Sequence, residues 1–212
     1  MGKLNNIKAK DLINLLLIKS NKPNSISPSG LTIKSNKCGK YRVLEYLGKN
    51  KYGHQVFKIQ FFNTGFITTT NIGLMNKGDV KDLLLPDVCG VACLGEDCKE
   101  LRSSDPELFE VLNKRWHAMI RRCYSVKDSA YHNYGELGIR VSDDWLNFSI
   151  FYREAQLIPG YDRDLLISGK LTLDKDKKQQ NIPKNKTIYS ADTCCWLTMK
   201  DQRLYINCHD VI

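Results

Sequence analysis

Residues Leu173–Trp196 read LDKDKKQQNIPKNKTIYSADTCCW. The apolar lead Lys170-Leu171-Thr172-Leu173 has the character of a strand, and it delivers Asp174 and Asp176 at its end. A polar loop follows, and the chain returns through Ile188-Tyr189-Ser190 to Cys194-Cys195-Trp196. This pattern predicts a small hairpin with two carboxylates at a strand end and a cap-like Ser190-Ala191-Asp192-Thr193 on the return. Residues two apart on a straight strand share a face, so both carboxylates can reach one ion. Such hard oxygen donors suit Mg²⁺ or another divalent cation, which in turn can hold a phosphate. The same acids also suit a plain polar turn after a strand, where aspartate is at home. From the residues alone the turn reading is preferred.

Upstream, Asp105-Pro106-Glu107 has the capping acid and first-turn proline of a helix start, and the helix is predicted to run to about Cys123. Leu108, Leu112, Trp116, Met119 and Cys123 form one apolar stripe, with Lys114, Arg115, Arg121 and Arg122 mostly off it. Tyr131–Asp144 is turn-rich around one short strand, Ile139-Arg140-Val141. Ser142-Asp143-Asp144 is expected to cap a second helix over Trp145–Leu157, with Trp145, Phe148, Phe151, Tyr152 and Ala155 on its apolar face and Pro159-Gly160 ending it. The aromatic residues here and Trp196 have the spacing of core residues, not of a platform for bases.

The N-terminal half differs in character. Ile7–Ser20 has helical spacing at Leu12, Leu15 and Leu16, and Asn21–Gly30 is a turn-rich linker. Three β-rich runs follow, Tyr41–Leu47, Gln55–Phe62 and Phe66–Ile72, joined by turns at Lys49–Gly53 and Asn63–Gly65. Glu96–Ser104 is polar and marks a boundary. The expected organisation is therefore residues 1–30 as helix and linker, 31–98 as a β-rich domain and 99–212 as a helix and hairpin domain. The expected class is α+β, an N-terminal antiparallel β meander plus a C-terminal helix/hairpin domain.

Net charge bounds the partners. The chain has 212 residues and a formal charge of +9, which favours a polyanion, nucleic acid before membrane. No apolar stretch approaches the roughly 20 residues that span a bilayer. The basic N-terminus lacks a small-residue cleavage site, so a secretory signal is not expected. Eight cysteines without such a signal suggest a reducing compartment. Cys89, Cys93 and Cys98 have loose metal-like spacing, with Cys38 or His54 as a fourth ligand, so zinc is a side hypothesis beside the simpler one of small buried thiols.

Three blocks occur in order. They are Trp116-x2-Met119-x2-Arg122-Cys123-Tyr124, then Tyr134-Gly135-x2-Gly138-Ile139-x-Val141-x3-Trp145-x2-Phe148-x2-Phe151, then Leu173-Asp174-Lys175-Asp176 with Tyr189–Trp196. Together they resemble phage-borne proteins of the HNH-endonuclease-like type, many of the homing kind, over about Phe109–Gln202. The β meander, with Phe62–Phe66 and Lys77–Asp82, is similar to the three-stranded DNA-binding domain of plant ethylene-response factors, in which a small sheet lies in the major groove. That domain's packing helix has no counterpart recognisable directly after the strands.

The resemblance implies a ββα-metal fold for the C-terminal domain, binding of double-stranded DNA, a divalent cation at Asp174 and Asp176, and residence in the cytoplasm of an infected host cell. It puts Asp174 at the metal-binding acid position, Lys175 where the general-base histidine stands and Thr193 where an asparagine opens the helix. Phosphodiester hydrolysis needs an activated water and a cation at the leaving oxygen. A charged Lys175 cannot accept a proton, but it can steady a phosphate. His117, His132 and His209 are the other candidate bases. Arg115, Arg121, Arg122 and Lys177, with Lys58 and Lys77 in the meander, are candidate phosphate contacts, which position a protein without reading sequence. The expected function is a metal-dependent DNA endonuclease, with Asp174, Lys175 and Asp176 at its catalytic centre. The alternative is a DNA-binding protein or host antagonist that keeps the fold and does not cut.

Overall fold

A computed structural model describes residues 30–202 of the chain. The helix expected over Ile7–Ser20, most of the linker, and His209 lie outside the described residues. The chain divides into two compact units between Leu85 and Pro86, ahead of the boundary near residue 98 expected from composition. Helices and an antiparallel sheet are both present, so the class is mixed α+β. Among the described residues no helix is long and apolar enough to cross a membrane.

The first unit is a four-stranded antiparallel meander, β1 (Thr32–Lys34), β2 (Lys40–Lys49), β3 (Gln55–Phe61) and β4 (Ile67–Asn71), in that spatial order. Alternation sets its register. Phe57, Ile59 and Phe61 are buried while Lys58 points outward, and Tyr41 and Val43 on β2 face the same core. Register shifts between Val43 and Glu45 and between Tyr46 and Gly48 break the alternation in β2, where burial becomes mixed. The third run does not stay extended to Ile72. Asn71 accepts the Leu74 N–H at 3.0 Å and caps a short helix, α1 (Ile72–Lys77), which ends at Gly78 with φ +71°. A helix therefore does follow the strands directly. Its six residues carry one buried side chain, Met75, too few for a 3.6-residue periodicity to show in the sequence.

In the second unit α2 (Cys98–Ser104) occupies part of the segment expected to be a polar boundary. The long helix α3 (Pro106–Tyr124) begins and ends close to where its sequence signals put it, and its stripe is buried. Asp105 accepts the Leu108 N–H at 3.1 Å and two hydrogen bonds from Arg163, both at 3.0 Å. Arg163 first, and the Leu108 N–H second, hold the Asp105 carboxyl below the usual carboxylate range. A folded pKa below the unfolded one stabilises the fold above roughly pH 4, and this contribution fades as pH falls through the folded value. Asp105→Ala is expected to cost about 1 kcal/mol at neutral pH. The gap from the parent protein should narrow on acidification, as urea titrations at neutral and acid pH would read; a gap independent of pH would refute the account.

The second apolar helix is interrupted. A 3₁₀ turn at Asp144–Leu146 comes first, and Asn147, not Ser142–Asp144, caps α4 (Phe148–Glu154) by accepting the Ser149 N–H at 3.0 Å. Trp145, Phe148, Phe151, Tyr152 and Ala155 are buried as their spacing predicts. The short helix α5 (Arg163–Ile167) then leads into β6 (Leu171–Asp174).

The expected hairpin is not simple. The return run β7 (Ile188–Tyr189) pairs in parallel with β5 (Arg140–Val141), and β6 pairs antiparallel with a later strand, β8 (Cys195–Thr198). Residues 199–202 are helical. The Pro159-Gly160 turn after α4 lies against Trp196 of β8. Trp196 donates its backbone N–H to the Pro159 carbonyl at 2.8 Å, and a Cβ on Gly160 would stand 2.2 Å from the Trp196 carbonyl oxygen at a φ of +83°. Gly160→Ala is expected to destabilise this unit by roughly 2 kcal/mol or more. The check is the denaturation midpoint, and an unshifted midpoint would mean the turn relaxes freely.

Candidate functional site

The end of β6 opens onto a cleft of about 180 Å³ lined by Arg115, Arg122, Tyr134, Thr172, Leu173, Asp174, Lys175, Asp176, Tyr189 and Gln202. Both expected acids therefore line one cavity. The straight-strand alternation does not account for this, because Lys175, which lies between them, lines the same cavity. The strand ends at Asp174, where its Oδ1 accepts the Lys177 N–H at 2.8 Å and turns the chain. One oxygen of Asp174 thus performs the turn role that aspartate favours. Asp174 is buried, and Asp176 is about half exposed, at 55% of its side chain.

Lys175 is the unexpected member. Its side chain is only 2% exposed and its ammonium pairs with the Asp176 carboxylate. The Nζ lies 5.4 Å from the Tyr134 ring centroid and 5.6 Å from that of Tyr189. The guanidinium of Arg122 lies 5.1 and 5.4 Å from the same two rings, whose planes are 23° apart with centroids at 6.5 Å. Each cation–π contact of this kind contributes about 0.5–2 kcal/mol. Two like charges sharing one pair of rings repel each other, and the Asp176 carboxylate offsets part of that. Burial works against the charge on Arg122, but Tyr189 and Tyr134 outweigh it and the guanidinium pKa moves up. Burial pushes the Tyr189 hydroxyl far up, so it stays neutral and can only donate or accept a hydrogen bond. The buried Cys123 thiol is pushed up to about 11 by burial, against the pull of Arg122 and Lys175.

Arg115 donates to the Leu171 carbonyl at 3.0 Å, which ties α3 to β6 and holds the guanidinium at the cleft wall. The Nε of Arg122 is buried and has no acceptor among the described residues. Gln202 accepts from the Thr172 hydroxyl at 3.2 Å at the rim.

The remaining expected site residues lie elsewhere. Arg121 does not line the cleft and its guanidinium is 3.9 Å from Asp128. Lys177 is exposed over a neighbouring depression that it lines with Lys178, Pro159, Gly160 and Trp196. Lys58 and Lys77 are exposed on the first unit, on β3 and in the last turn of α1. His117 is half-buried against the Trp116 ring, with ring centroids 5.0 Å apart, and burial and then Arg121 hold its pKa down. His132 is exposed in a 3₁₀ turn. Neither histidine lines the cleft. Thr193 does not open a helix. Its hydroxyl donates to the Ile188 carbonyl at 2.7 Å and closes the turn before β8.

Among the described residues no group of three or more His, Cys, Asp or Glu side chains is arranged to hold a metal ion. Cys89, Cys93 and Cys98 are therefore not gathered into such a group, and burial pushes the Cys89 and Cys98 thiols up. Asp174 and Asp176 offer hard oxygens only. That set suits Mg²⁺, which commonly takes one or two carboxylates and completes its shell with water and phosphate oxygens. It does not suit zinc, which favours histidine and cysteine.

Tyr134, Tyr189, Thr172 and Gln202 carry no sequence signal that marks them as site residues, yet all four line the cleft. Tyr134 stood beside Gly135 in a turn and Tyr189 on a strand, and nothing in their spacing links them to Arg122. No protein-family model, no curated protein and no solved structure matches the chain.

Proposed function

We propose that this protein binds double-stranded DNA and cuts it as a divalent-metal-dependent endonuclease of the phage HNH-like, homing type. The observation that carries the reading is a single cleft in which Asp174 and Asp176 stand among Arg115, Arg122 and Lys175. Support also comes from the order of elements, an antiparallel β6/β8 pair followed by helical residues 199–202. A bound Mg²⁺ would be held by Asp174 and Asp176 and would supply positive charge for the leaving oxygen. Arg115 and Arg122 orient the phosphate, and buried Lys175 keeps its oxygens from turning. Lys58 and Lys77 on the first unit and Lys177 on the second contact backbone phosphates. The setting this implies is the cytoplasm of an infected cell. Nicking of supercoiled plasmid and of phage DNA in Mg²⁺ or Mn²⁺, absent in EDTA, tests the proposal.

A second reading is favoured by a specific observation. Lys175 is buried in an ion pair with Asp176, and among the described residues no histidine lines the cleft to act as a base. A protein so built binds DNA, or antagonises a host protein, without cutting. Salt-dependent DNA binding with no cleavage in any metal would establish it in place of the first.

A further inference from the structure

We infer that the cleft seats one phosphate group without a metal ion, gripped by Arg115, Arg122 and Lys175, and that Asp176 guards the seat until phosphate displaces it. The inference deepens the proposed DNA-binding reading and rests on it for the source of the phosphate.

Size points to a single tetrahedral anion. A cavity of 180 Å³ is about six water volumes at roughly 30 Å³ each. It falls below the range of about 300–1,000 Å³ typical of sites that enclose a whole small molecule. The size suits a phosphate group rather than a whole nucleotide.

Charge points the same way. Among the described residues three cationic and two anionic side chains line the cleft and leave one positive charge in excess. The single negative charge of a phosphodiester cancels it. Seating the phosphate therefore needs no divalent cation for charge balance, whereas cutting it does.

Geometry supplies the pre-organisation. Lys175 and Arg122 are each fixed against the Tyr134 and Tyr189 rings, and Arg115 is tethered to the Leu171 carbonyl. The Arg122 Nε–H, buried and without an acceptor among the described residues, is a donor already desolvated. The Lys175–Asp176 pair is asymmetric, at 2% and 55% exposure. The ammonium is enclosed and stays in place, so an arriving phosphate exchanges one anion for another on a fixed cation.

The test is binding of a short DNA duplex and of inorganic phosphate to the full chain in EDTA and in Mg²⁺. Duplex binding is expected to be no weaker in EDTA. Lys175→Met should weaken it by about tenfold or more and lower the slope of log affinity against log salt by about one. Asp176→Asn should tighten it by up to about fivefold, since the competing carboxylate is gone. Asp176 is exposed, so this variant keeps the test decisive if Lys175→Met fails to fold. Binding lost in EDTA and restored by Mg²⁺, or weakened in Asp176→Asn, overturns the inference even if the protein cuts DNA. Inorganic phosphate bound equally by the parent and Lys175→Met also overturns it. Inorganic phosphate bound by the parent alone, with no affinity for duplex, upholds the seat with free phosphate as its source and removes the DNA reading.

Discussion

Asp174→Asn with Asp176→Asn is expected to lower Mg²⁺-dependent nicking by more than about 100-fold, since changing even the outer supports of a metal site costs 10–100-fold. Asparagine is preferred to alanine for a structural reason. The Asp174 Oδ1 accepts the Lys177 N–H, and an amide oxygen can still do so, which preserves the turn that carries Asp176. The change removes charge, the property a hard cation needs, and little else. Nicking is read on supercoiled plasmid, with thermal unfolding of both proteins as the control for folding. Undiminished nicking by a folded double variant would end the assignment of these carboxylates to catalysis. Duplex binding in EDTA should move the other way for Asp176→Asn alone, so one pair of measurements separates loss of chemistry from loss of the phosphate seat.

Trp116→Ala is expected to be the most damaging single change to the second unit, by about 3–5 kcal/mol. Trp116 has no exposed surface and stands on α3, with its ring 5.3 Å from Phe148. Its indole N–H donates to the Trp145 carbonyl at 2.7 Å, joining α3 to the 3₁₀ turn that precedes α4. Truncation opens a cavity and strands a buried carbonyl, and the second effect alone costs about 1–3 kcal/mol. Trp116→Phe keeps most of the packing and loses the hydrogen bond, so it should fall between the two. For a unit of this size the alanine variant should melt roughly 10–20 °C lower. A melting temperature within a few degrees of the parent would show that the core repacks around the gap.

The strength of these two expectations differs because their sequence signals differ. The Trp116 stripe on α3 was legible because helix start, proline, apolar period and core membership are all local or periodic facts, and the buried side chains match them. Strand β3 was legible for the same reason, with its two-residue alternation. The short helix α1 and the 3₁₀ turn before α4 were not, because each is shorter than the period that would reveal it, and a cap hydrogen bond from Asn71 or Asn147 sets their limits.

At the cleft, the carboxylates at the strand end and the cations on α3 could be named from residue type and neighbours along the chain. Which cations reach the carboxylates could not. Arg121 and Arg122 are adjacent, yet one lies near Asp128 and the other faces the Tyr134 and Tyr189 rings. Local pattern therefore established the long helix α3, the three strands β2, β3 and β4, and the acids on their own. The β6/β8 pairing, the β5/β7 pairing and the burial of Lys175 came only from the folded chain. Contacts between distant segments depend on which surfaces close against each other, and side-chain spacing along the chain does not encode that.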